Sequence, residues 1–155
     1  MQVAPRKGMV GLALFPLLLI PILFYDIMAA VSAAPPPGGT TPTLLNTLHG
    51  EALAIPMLSG STLSLAWGDL LLLLSVGCLL AEVIKSAHTG SAAIVNHMLS
   101  LGLFIVCLVE FLLLPSFASS AFFLITMIVL LDALAGMVVT IIAARRDFDV
   151  GATGP

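Results

Sequence analysis

The stretch Ser120–Ala144, SAFFLITMIVLLDALAGMVVTIIAA, contains 25 residues and one ionisable side chain, Asp132. A helix of that length reaches about 37 Å at 1.5 Å per residue, enough to cross a hydrocarbon core about 30 Å thick. Three further apolar stretches accompany it, at about 8–33, 63–84 and 92–114. The composition agrees with a lipid solvent. Hydrophobic residues make up 60% of the 155-residue chain and charged residues 8%, with a mean hydropathy of +1.20. A soluble domain carries about 25% charged residues. The sequence therefore predicts one all-α integral membrane domain, 1–155, with four transmembrane helices in an antiparallel bundle.

The connections set the topology. Residues 85–91 and 115–119 are tight polar turns, which force the helices they join to run antiparallel. Residues 34–61 form a long loop that opens with APPPGGTTPT. Within it, LLNTLHGEALAIPML (44–58) is too short and interrupted to span and is expected on the outer membrane surface or over the bundle mouth. Pro16 and Pro21 lie in the first apolar stretch and predict a kink there. All five basic residues, Arg6, Lys7, Lys85, Arg145 and Arg146, fall on one side of a four-span arrangement. The positive-inside rule then places both termini and the tail 145–155 in the cytoplasm, with 34–61 outside. In a bacterial host that is the inner membrane. The N-terminal stretch also has the three-part form of a secretory signal. Its apolar segment is long for that purpose, so it is read as a retained span; cleavage would leave three spans in the same orientation.

Depth estimates divide the polar residues. Asp26, Asp69 and Glu110 fall near the outer boundary, where interfacial water or backbone capping accounts for them, and Trp67 and Tyr25 lie at the same level. Lys85, His88, His97 and Arg145 gather near the cytoplasmic boundary, with Glu82 placed to pair with Lys85 at i, i+3 spacing. Asp132 alone is expected near the midplane, where a charge costs about 2.5–3.5 kcal/mol on insertion scales. It can be neutral and hydrogen-bonded to Ser75 or Ser100, pair with a basic group of another protein, or face a wet cavity. No basic residue of the chain is expected at its depth. Small and weakly polar residues recur at helical spacing: Asp132, Gly136, Thr140 and Ala143 in the last span; Asn96, Ser100, Leu103, Cys107 and Glu110 in the third; Ser64, Gly68, Ser75, Cys78 and Glu82 in the second. Such stripes let membrane helices approach closely, so Gly136, Thr140, Ser75 and Ser100 are expected in the inner seam.

Function is bounded mainly by what is missing. The sequence has no histidine–glutamate zinc motif, phosphate loop, nucleophile elbow or Cys-x-x-Cys pair. Its five basic residues provide no nucleic-acid footprint. No metal, haem or other cofactor is expected, since His97 lacks a second embedded histidine opposite. Small multidrug transporters are also compact four-span proteins, but they carry a working glutamate in helix one; here that helix has Asp26 near its outer end. The expected function is a non-enzymatic accessory or assembly subunit that packs, within the lipid bilayer, against a larger membrane complex or against itself. The alternative is an oligomeric proton or cation conductor that uses Asp132, with Glu82 and Glu110 as waypoints. A cytochrome-like bundle using His97 is the weakest of the three.

Overall fold

A computed structural model describes residues 15–32, 43–86 and 90–152, with side chains placed through 15–32, 43–85 and 95–138. Along the chain these form α1 (Leu19–Val31), α2 (Thr43–His49), β1 (Glu51–Pro56), β2 (Thr62–Ala66), α3 (Trp67–Ser86), α4 (Gly90–Leu113), a 3-10 turn (Pro115–Phe117) and α5 (Ser120–Ala152). The protein is mostly helical. Among the described residues, three helices are long and apolar enough to cross a membrane: Trp67–Lys85, Val95–Leu113 and Ser120–Val138. Helix α1 is apolar but shorter, with 13 residues. The expected start of that span at Gly8, the basic residues Arg6 and Lys7, His88, and residues 34–42 lie outside the described residues.

Several boundaries differ from expectation. Leu18 is the N-cap of α1, so Pro21 falls in the first turn, where a missing N–H costs no helical bond. Pro16 precedes the helix, and its carbonyl accepts Leu19 N–H at 3.1 Å. Within the described residues, then, both prolines mark where α1 starts. The long loop is not all irregular, and the fold is not all α: it holds α2 and an antiparallel hairpin, β1–β2. Ser64 lies in β2 instead of opening the second span, which begins at Trp67. At the other end, α5 runs on through the expected tail to Ala152, 33 residues in all.

The core is built where α4 and α5, and α3 and α5, pack side by side. Leu18, Ile22, Tyr25, Leu44, Leu48, Leu71, Cys107, Phe122, Ile125 and Val129 are buried there. The small and polar stripes face inward: Gly68, Ser75 and Glu82 of α3, Asn96, Ser100 and Cys107 of α4, and Asp132 and Gly136 of α5 are all buried. Leucine, isoleucine and valine cover the opposite faces, with Leu73, Leu80, Ile105 and Leu131 each more than half exposed. This is the arrangement that lipid favours, because apolar tails offer no drive to hide leucine but small residues permit close helix contact.

Candidate functional site: a buried polar cluster between three helices

Six polar side chains meet where the last turns of α3 pass the first turns of α4 and the middle of α5. Glu82 is at the centre of one half and is fully buried. Its Oε1 pairs with Lys85 Nζ at 2.7 Å across one helical turn, and the same oxygen accepts Asn96 Nδ2 from α4. Its Oε2 accepts the backbone N–H of Leu17 at 2.6 Å. Lys85 turns inward and also donates to Phe15 O at 2.7 Å and to Asn96 Oδ1 at 3.3 Å. The carboxylate therefore accepts an N–H just before α1, where a helix start carries partial positive charge. One charge pair joins α3, α4 and the segment leading into α1.

The other half is formed by α4 and α5. Asp132 is 1% exposed and His97 is 7% exposed. Ser100 lies beside the Asp132 carboxyl and donates to Asn96 O at 3.2 Å, whereas Ser75 donates to Leu71 O at 2.8 Å within its own helix. Of the two serines proposed for Asp132, Ser100 is the one in contact. Gly136, one turn beyond Asp132, leaves the space for the imidazole: a Cβ there would lie 1.9 Å from His97 Cγ. Among the described residues, neither ring nitrogen of His97 has a hydrogen-bond partner, and Asp132 Oδ2 has none either. Glu82, His97 and Lys85 all act electrostatically on Asp132. The sequence-based depths separated these residues into tiers; the structure brings them together. Asp132 is only three residues past the middle of the Ser120–Val138 span, while Glu82 is six past the middle of Trp67–Lys85. At 1.5 Å per residue that offset is about one turn, short enough for side chains to bridge. The side chains of Thr140, Ala143 and Arg145 lie outside the described residues.

The opposite end is organised separately. Asp69 Oδ2 accepts the N–H of Ala66 at 2.9 Å, the return half of a capping box at the start of α3. Asp26 and Glu110 lie near one another and near buried Cys107, and each has one carboxylate oxygen without a partner among the described residues. Tyr25 hydroxyl donates to Ser116 O at 3.0 Å and meets Ser119 Oγ at 2.8 Å. Ser119 in turn accepts Phe122 N–H at 3.0 Å, capping α5. Tyr25, Phe117 and Phe122 stack around this point with centroids 4.7–5.2 Å apart. Sequence reasoning assigned Tyr25 only to the membrane boundary and missed Ser119, although serine just before an apolar helical run is an N-cap signal. Asn96 was recognised as part of a stripe but not as the joint between Glu82 and Lys85.

Between the two ends lies mainly apolar packing. Ile22, Cys107, Ile125 and Val129 are buried there, together with Ser75 and Thr126, whose hydroxyls are bonded to carbonyls of their own helices. Among the described residues, no group of three His, Cys, Asp or Glu is placed to hold a metal ion. No family model, curated protein or solved structure matches the chain.

Proposed function

We propose that this chain is a four-span, non-enzymatic accessory or assembly subunit that packs against other membrane helices, from a larger complex or from copies of itself. The stretch 8–33 supplies the fourth span, 34–61 lies outside, and both termini are cytoplasmic, in a bacterial inner membrane. One observation carries the reading: the Glu82–Lys85 pair is spent inside the chain, joining α3, α4 and the segment before α1, while the outward faces are almost wholly apolar. Only 22% of the Trp67–Lys85 and Val95–Leu113 windows is buried within the chain, so much of each helix is left for lipid or for neighbouring helices. Chemical cross-linking in native membranes, followed by gentle purification, tests this. A defined oligomer or a reproducible membrane complex is the expected result; a monomer that cross-links to nothing in membranes would sink it.

A second reading rests on His97. Its two unpartnered nitrogens beside Asp132 make a pair able to exchange a proton, which favours an oligomeric proton or cation conductor. The mainly apolar packing between Asp132 and Glu110, in which the Ser75 and Thr126 hydroxyls are tied to their own helices, argues against a path through one protomer. Proteoliposomes carrying a proton-sensitive dye decide the point. Flux that is lost in a folded Asp132→Asn variant supports conduction, and equal background flux in both proteins removes it.

A further inference from the structure

The hairpin has two unlike faces. Directly opposed residues of an antiparallel pair point to the same side of the sheet. The register pairs Leu53 with Leu65 and Ile55 with Leu63, so four branched aliphatic side chains share one face. The alternate pairs, Ala54 with Ser64 and Pro56 with Thr62, form the other face, where Ser64 also donates to Glu51 Oε2 at 2.6 Å. The aliphatic face is uncovered: Leu53, Ile55 and Leu63 are 40–46% exposed. The turn at the tip adds Met57 and Leu58, both exposed. No residue from 52 to 68 carries a charge.

The root of the hairpin is fixed at the end of a span. Strand β2 ends at Ala66 and α3 begins at Trp67 with no linker. Trp67 N–H donates to Gly50 O at 3.2 Å, which ties both strands to that junction. Gly68 packs against Leu48 O at 3.3 Å, measured from where its Cβ would be, which holds α2 against the same point. Strands of five and six residues reach about 17–20 Å from this root, and Trp67, a ring suited to the membrane–water boundary, is exposed beside it.

We infer that the β1–β2 hairpin is a membrane-interface anchor, laid on the leaflet at which α3 begins, with Leu53, Ile55, Leu63, Leu65 and the Met57–Leu58 tip immersed among the lipids. The inference rests on α3 spanning the bilayer. An amphipathic element with a wet polar face and an apolar face is stable at that boundary for the same reason as an interfacial helix. There the outer strand edges remain hydrated, which the hydrocarbon core would not allow.

Nitroxide scanning in phosphatidylcholine–phosphatidylglycerol nanodiscs tests it. Cys78 and Cys107 are replaced by alanine, helical circular dichroism verifies the fold, and single cysteines are introduced at Ile55, Leu58 and Leu63, at Ala54 and Ser64, and at the exposed α3 position Leu73. Collisions with oxygen, which enters lipid, are compared with those of a water-soluble nickel chelate. The expected result is preference for oxygen at Leu73, Ile55, Leu58 and Leu63, and preference for nickel at Ala54 and Ser64. Nickel preference on both hairpin faces with Leu73 in lipid overturns the anchor. Shielding of Ile55 and Leu63 from both reagents also overturns it, because a protein surface then covers the face. Nickel access at Leu73 overturns the spanning helix and the anchor with it.

Discussion

Gly136 is defined by what lies over it. The His97 ring occupies the space where any larger residue would put its first carbon, and both groups are on packed helix faces that cannot separate freely. Gly136→Ala should therefore destabilise the bundle by about 1–3 kcal/mol, the usual cost of overpacking, read as a lower midpoint in detergent-titrated unfolding. Adding His97→Ala should recover much of that loss, because it removes the atoms in conflict. If the double variant is as unstable as the sum of the two singles, the contact is not the cause. Sequence spacing placed Gly136 on the face of Asp132, but nothing in the sequence pointed to His97 as its neighbour. That pairing depends on the offset between α4 and α5, a property of two helices together.

At the scale of elements, helix starts carry the clearest stabilising devices. Ser119 caps α5 and also holds Tyr25, so Ser119→Ala removes two interactions from a buried site. A loss of about 1–2 kcal/mol is expected, the upper part of the range for caps. Asp69 makes its capping bond in an exposed position, and Asp69→Ala should cost less, about 0.5 kcal/mol at the bottom of the same range. The same unfolding titration orders the two variants; the reverse order would show that exposure does not govern them. The three longer spans were legible because lipid imposes length and hydropathy together. The hairpin was not recognised, although Leu53 and Ile55, then Leu63 and Leu65, alternate on either side of Ser59-Gly60. Gly60 takes a positive φ of 84° in that turn, which glycine adopts without strain. A short apolar pattern of period two is easily overlooked beside runs of 20 leucine-rich residues.

For the whole molecule, the four spans proposed above put both ends of the chain on one side. Epitope tags at the two termini should be digested together by protease added to inside-out vesicles, and should both survive in right-side-out vesicles; opposite behaviour of the two tags would require three or five crossings. The three long apolar helices were readable from the chain. The internal pairing was only partly so, because Lys85 reaches inward to Glu82 and Asn96 where a lysine near a helix end ordinarily extends toward water.

That inward lysine bears on the order in which the protein is made. The groups that hold the approach to α1, at Phe15 and Leu17, belong to residues 82 and 85, which Asn96 bonds in turn, and Tyr25 waits for residues 116 and 119. The first helix to leave the ribosome is thus the last to be secured. A nascent chain that has emerged from the ribosome only to residue 114 should leave a cysteine at the neighbouring core position Ile22 open to maleimide reagents, and emergence through residue 140 should protect it.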